Sequence, residues 1–384
     1  MPQISGEQQF ALPSAPPGVR KAGLRPVQRL IAAAAGAVFG YLAASHRIGF
    51  VDHRGAFSLF ILGFLGALSV SNALLAALAR PSGLAVVWAA VGSGRWAGSA
   101  VLRGRLVTFR WLPLIPFTGC LAIVDRPTLR RRLWCGTATA VGVQLAAGAA
   151  LVALGGPDVA ALGWGVLVMT ALVSFCNPAT AGSRAWILLR MPFRPDPLDR
   201  LAHEPALVDV ARALSAGRVR AARAALDTAA NPRSFRHLWA TAAVAEAEGR
   251  YAEAADRAYA LYQGSGLEQD RSTALVIYAR ALADGAAAGV WTRERMLPAF
   301  EAALAVLRAT RPALLRFTDL GAIEALLHGD PVKGTRLARN AVATAPDALT
   351  RAHALRTLAA ALTWTGSAPQ AARALTRASR HSPL

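Results

Sequence analysis

Apolar residues follow two regimes along this chain. Between residues 28 and 190 they form long unbroken runs, and from 200 to 384 they thin into an alanine-rich helical pattern. The run Ala56–Ala79, AFSLFILGFLGALSVSNALLAALA, holds 24 residues without a charge. At about 1.5 Å per residue a helix of that length crosses a bilayer. Near one end it carries Ser69, Ser71 and Asn72. Polar groups in hydrocarbon are costly, so this cluster is expected to face a partner helix or a cavity. Three more runs, Leu30–Ser45, Leu133–Leu154 and Val159–Cys176, read as further spans, about four in all. AWILL, residues 185–189, reads as an interfacial or re-entrant piece. Residues 80–132 break the helical pattern with glycine and proline. Within them LAVVWAAV and LVTFRWLPLI are β-branched and aromatic, and predict strands of a small sheet or hairpin at the membrane surface.

The same stretch carries Arg95, Arg103, Arg105, Arg110, Arg126, Arg130, Arg131 and Arg132 against Asp125. Excess arginine marks a cytoplasmic loop, which places both termini in the cytoplasm. Residues 1–27 read as a disordered cytoplasmic terminus, 28–190 as the membrane domain, 191–202 as a proline-rich linker, and 203–384 as a soluble helical domain. No cleavable signal peptide precedes Leu30. The fold class expected is mainly α: a polytopic membrane domain with a small β segment, then a helical repeat domain.

Composition changes this picture little. Apolar residues are 54% of the chain and mean hydropathy is +0.36, which suits a membrane protein with lipid as one partner. Net charge is +20 with only two lysines, Lys21 and Lys333. Heavy Ala and Arg usage fits a high-GC bacterial genome, and with it a multi-pass protein of the cytoplasmic (inner) membrane. No basic patch interleaved with aromatics is visible, so no nucleic-acid partner is expected. Cys120, Cys135 and Cys176 lack metal or redox spacing and read as small packing residues.

The second half repeats a unit in which a turn glycine is followed at fixed offsets by small residues. Gly249 leads to Tyr251, Ala254 and Ala258; Gly329 to Ala338, Ala341 and Pro346; Gly366 to Ala371, Ala378 and Pro383. Gly217 gives a weaker copy with Val219, Ala222 and Pro232, and residues 265–312 fit poorly. Glycine opens a helical hairpin, alanine lets its helices approach, and proline ends the second helix. This pattern resembles tetratricopeptide repeats, which implies a solenoid with a concave face for a protein or peptide partner.

The membrane half, about residues 55–200, resembles the site-2 protease family of intramembrane zinc metalloproteases. The resemblance rests on the order of LSVSNALLAALA, GLAVVWAAVGSGR, LPLIPFTG, DRPTLRRRL and NPATAGSRAWILLR. In that family HExxH on a spanning helix supplies two His ligands and a general base, and an Asp from a later segment completes three protein ligands, leaving water in the fourth position. The resemblance carries the two His onto Leu68 and Asn72, the Glu onto Ser69 and the Asp onto Arg184, with Ala185 in place of the following Gly. Leu68 has no ligand atom, Asn72 is a poor zinc ligand, Ser69 is no base at neutral pH, and Arg184 is a cation. The site expected is therefore degenerate, with no catalytic residue, no metal ligand and no cofactor, although the family would use zinc.

Other chemistry is weaker. Ser69 or Ser71 with Asn72 lacks a base on a neighbouring segment, and a polar interhelical contact is the expectation. GSGR and GTATAVG lack the lysine and strand–helix context of a phosphate loop. Gln144 is expected to bond Asn72 or a backbone carbonyl, and Arg184 to reach the interface or pair with Asp196 or Asp199. His46 and His53 read as outer-loop histidines. The function expected is a catalytically inactive, membrane-embedded binding or regulatory protein. The alternatives are an active intramembrane metallopeptidase with an atypical site and a membrane-anchored repeat scaffold.

Overall fold

The computed structural model describes residues 10–13, 54–176, 178, 180–194 and 196–382. The chain divides into two compact units, Leu24–Val208 and Met1–Gly23 with Asp209–Leu384. The expected span Leu30–Ser45, His46 and His53 lie outside the described residues.

In the first unit three helices are long and apolar enough to cross a membrane: α1 (Arg54–Ala77), α2 (Leu129–Leu154) and α3 (Pro157–Phe175). The chain turns between α2 and α3 at Gly155-Gly156, and Pro157 starts α3 at a position where its missing N–H costs nothing. The helices pack through small residues. A methyl on Gly63 would meet the Leu162 carbonyl oxygen at 2.2 Å, and one on Gly165 the Phe60 carbonyl oxygen at 2.2 Å. The unit is apolar outside and polar inside. Phe57, Leu62, Leu65 and Val70 are exposed on α1, whereas Ser71, Gln144, Thr170 and Ser174 are buried. That inversion suits a hydrocarbon surround, where exposed apolar side chains cost nothing and polar ones need partners. The side-chain amide of Gln144 donates to the Ala67 carbonyl at 2.8 Å, so of its two expected partners it takes the backbone. Cys120 and Cys135 are exposed rather than packed inside the unit.

The β segment is longer than the two apolar runs suggested. β1 (Leu84–Leu102) and β2 (Arg105–Val124) form an antiparallel pair closed by Arg103 and Gly104, both at positive φ. Two such residues give the turn whose twist matches a hairpin. The register shifts along the pair, so that Ala89 faces both Gly119 and Val107, and Ala90 both Thr118 and Thr108. Those alanines are buried, as residues with a neighbour on each edge must be. Next come α4 (Arg184–Leu189), α5 (Asp196–Leu201) and β3 (Ala202–His203), which pairs parallel with the end of β2. Residues 191–202, expected as a linker, instead belong to this unit. Met191 and Leu198 are buried with Leu84, Leu133 and Trp186, because the stretch carries apolar side chains that a solvated linker would leave in water.

The helical unit is built from pairs. These are α6 (Pro205–Ser215) with α7 (Val219–Asp227), α8 (Phe235–Ala247) with α9 (Tyr251–Gly264), and α10 (Glu268–Ala287) with α11 (Arg293–Thr310). After the short α12 (Pro312–Phe317) come α13 (Leu320–Leu327) with α14 (Pro331–Thr344), and α15 (Ala348–Trp364) with α16 (Ala368–His381). Every pair turns through a glycine at positive φ: Gly217, Gly249, Gly289, Gly329 and Gly366. Each turn closes with the same two bonds, for example Gly249 N–H to Glu246 carbonyl at 3.0 Å and Arg250 N–H to Ala245 carbonyl at 2.8 Å. This is the Schellman ending of a helix, which needs a residue free of the left-handed penalty. The alanines at the repeated offsets, Ala222, Ala254, Ala258, Ala338, Ala341, Ala371 and Ala378, are all buried. Pro383 lies outside the described residues. The core is centred on the longest pair, where Leu275, Tyr278 and Leu282 of α10 meet Met296, Phe300, Leu304 and Leu307 of α11. Burying side chains of that size is worth about 1.5–3 kcal/mol each, far more than alanine contributes. Residues 10–13, expected within a disordered terminus, lie against this core without helix or strand: Phe10 packs on it and Pro13 is buried.

Candidate functional site

α1 presents Leu68, Ser69, Ser71 and Asn72 within one turn of one another. α4 brings the fifth residue. Its start is set by Ser183, whose hydroxyl accepts from the Trp186 N–H at 3.1 Å as a helix cap. Its far side is anchored by Ala185, Trp186 and Ile187, all buried, and by Trp134 of α2, whose indole donates to the Leu188 carbonyl at 3.2 Å. With that face pinned, Arg184 reaches α1. One guanidinium nitrogen donates to the Asn72 Oδ1 at 2.9 Å and the other to the Ser71 hydroxyl. The structure therefore joins two of the four positions named from sequence, Asn72 and Arg184, and adds Ser71. Leu68 is half-buried, and the Ser69 hydroxyl is buried with no hydrogen-bond partner among the described residues. The described partners of Arg184 are neutral, and the side chain of Asp196, one of its two expected acids, is not among those described. Desolvation lowers its guanidinium from the ordinary value to about 10, so it stays charged at neutral pH.

The donor set does not fit zinc. The Asn72 carbonyl oxygen already accepts from Arg184, Leu68 offers no lone pair, and a guanidinium stands where an acidic ligand would be needed. The Ser69 hydroxyl is a neutral group, and no base stands against it among the described residues. It can hold an acceptor: the guanidinium has five N–H donors, and among the described residues its partners are neutral. No known family, curated protein or solved structure matches this chain.

A second polar concentration lies within the helical unit, on residues that sequence pattern did not single out. Arg280 of α10 is buried and donates to Asp319 and to His353 Nδ1, and Asp284 lies 3.9 Å away. Glu246 Oε1 lies 3.4 Å from His353 Nδ1 and Asp284 Oδ2 3.8 Å from it. Thr357 donates to the second Asp319 oxygen at 2.6 Å. Burial pushes the Glu246 carboxyl well above the usual carboxylate range, with Asp284 and Asp319 adding to the shift and Arg280 opposing it. Burial also holds His353 well below its ordinary value, helped by Arg280 and Arg356. Glu246, Asp284 and His353 are spaced for a divalent cation, their ligand atoms within 4.8 Å of one another. Arg280, however, donates to the same imidazole nitrogen that would ligate it, so the guanidinium fills the cation's role. The only trace in sequence is Arg280 and Asp284 at i, i+4, a spacing that usually marks a surface pair.

Proposed function

We propose that this chain is a membrane-embedded binding or regulatory protein of site-2 protease-like build, without a metal centre, whose helical unit recruits a protein or peptide partner. The observation that carries this reading is the contact of Arg184 with Ser71 and Asn72. Positions that the resemblance assigns to ligands on a spanning helix and on a later segment meet in space, but as a guanidinium on neutral oxygens. Such a site binds an acceptor and does not activate water. The five glycine-turned pairs support a tetratricopeptide-like reading of the second half. The apolar outer faces of α1–α3 support insertion in a membrane, which we assign to the bacterial cytoplasmic membrane with both termini inside.

A tethered scaffold is the competing reading, favoured by the same outward apolar faces. Exchanging residues 1–190 for an unrelated membrane anchor separates the two. On the binding-protein reading the exchanged chain fails to restore the phenotype of a deletion strain, and full restoration would favour the tether.

A further inference from the structure

The strongest unexplained feature is the seat of residues 10–13. Its floor is prepared by the pair that departs from the repeated pattern. Gly289 turns α10 into α11, and the chain folds Trp291 back over Gly285, where the indole N–H donates to the Leu282 carbonyl at 2.8 Å. A methyl on Gly285 would meet the indole at 2.1 Å, so only glycine leaves room for this ring. Phe10 stands edge-on to Trp291, with ring centroids 4.9 Å apart and planes at 69°. The Arg295 guanidinium lies 5.4 Å from the Phe10 centroid, a cation–π distance. Tyr278, buried in the same core, donates its hydroxyl to the Ala11 carbonyl at 2.8 Å. Desolvation raises that phenol, which keeps it a donor across the physiological range. Ala11 and Leu12 point to solvent and Pro13 is buried again. The seat thus reads the segment by an aromatic ring and one backbone carbonyl, with a buried proline three residues after the ring. Tyr259 lies beside Tyr278, 5.5 Å between centroids, and widens the aromatic floor.

We propose that this seat is a docking site for Phe-x-x-Pro segments of a protein partner, and that Phe10–Pro13 occupies it in cis as a latch. The proposal rests on the reading of the helical unit as a recruiting module and names its ligand class. Among the described residues the seat holds the segment through the Phe10 ring and the Ala11 carbonyl, and covalent attachment adds to that hold. An attached segment competes at an effective concentration on the order of mM, enough to mask a site of ordinary peptide affinity from a free competitor. A partner bearing the same motif at higher affinity or higher local concentration would displace it and free the N-terminus. The sequence irregularity of residues 265–312 has a local counterpart here, because five residues after Gly289 stands Glu294, where the other four pairs place Ala222, Ala254, Gly334 and Ala371. That pair is shaped for Trp291 and its guest as well as for close helix approach.

The test uses a fluorescent peptide of residues 5–16, SGEQQFALPSAP, and the purified full chain in detergent, read by anisotropy. The Phe10→Ala chain should bind the peptide at least about tenfold more tightly than the unaltered chain, because its own latch is released. Replacing Phe10 or Pro13 in the peptide, which leaves the protein untouched, should weaken binding to the Phe10→Ala chain by about tenfold or more. Adding Arg295→Ala to that chain should weaken it severalfold. Equal binding by the two chains, or binding indifferent to the peptide's Phe10 and Pro13, overturns the proposal. Such a failure leaves the recruiting role to be judged separately by the anchor exchange, which does not depend on the peptide.

Discussion

Two desolvated arginines, half-buried Arg184 and buried Arg280, one in each unit, show opposite solutions to one problem. Arg184 in the membrane-helix unit is compensated by a hydroxyl and an amide, and desolvation lowers its guanidinium to about 10. Arg280 in the helical unit also suffers desolvation, but Asp319, Asp284 and Glu246 outweigh it and raise the guanidinium above its ordinary value. An arginine locked by acids is a structural element, since its charge is cancelled and its donors are used. An arginine held by neutral oxygens keeps a net charge and exchangeable hydrogen bonds. The second kind suits a binding site, and it is the kind found where the family resemblance puts a metal ligand.

The contrast breaks or holds on substitution. Arg280→Met strands three acids around a buried histidine, and removing one partner of a buried ionic group costs about 3–5 kcal/mol. The unfolding transition of the helical unit should fall accordingly, and a loss below about 1 kcal/mol would refute the locked-ion description. Arg184→Met removes hydrogen bonds worth about 1.5–3 kcal/mol but also relieves the desolvation of an uncompensated charge. The net loss in thermal stability should be about 1 kcal/mol or less, and a loss equal to that of Arg280→Met would erase the distinction.

Acid sharpens the comparison on the Arg280 side. His353 is held neutral in the folded chain, while an unfolded histidine takes a proton below about pH 6.5. Its contribution to stability is therefore lost as pH falls from 6.5 toward the depressed folded value. Glu246 has the opposite sign: its raised carboxyl holds a proton in the folded chain while the unfolded one is ionised, so its contribution grows as pH falls. Comparing the wild type with His353→Gln isolates the histidine. The stability gap between them should narrow by about 1 kcal/mol between pH 7 and about pH 5.5. A gap independent of pH would mean that His353 takes up its proton alike in the folded and unfolded chains, and a gap that widens as pH falls would mean that it is charged in the folded chain.

How legible each region was in sequence follows from the range of its interactions. The long apolar runs, the β-rich segment and the glycine turns are local signals, and the helices, the hairpin and four of the five Schellman endings stand where those signals lie. The fifth, at Gly289, was hidden because the residues after it serve Trp291 and the large side chains of the core. The partners of Arg184 were not legible. Sequence proximity suggested Asp196 or Asp199, whereas the contact made is with α1, 112 residues away from Asn72 to Arg184. The Arg280 cluster was equally silent, since Glu246 and His353 come from two other helices, Asp319 from the residue before a third, and nothing local marks them as neighbours. Met191 and Leu198 were misassigned to a linker because prolines dominate that stretch, while two apolar side chains decide its burial.

The central claim is that Arg184 on Ser71 and Asn72 stands in place of a zinc centre. Elemental analysis of the purified, detergent-solubilised chain tests it most directly. The account gives zinc well below one atom per chain, unchanged by Asn72→Ala. One zinc per chain, removed by a chelator together with a peptidase activity, would contradict it.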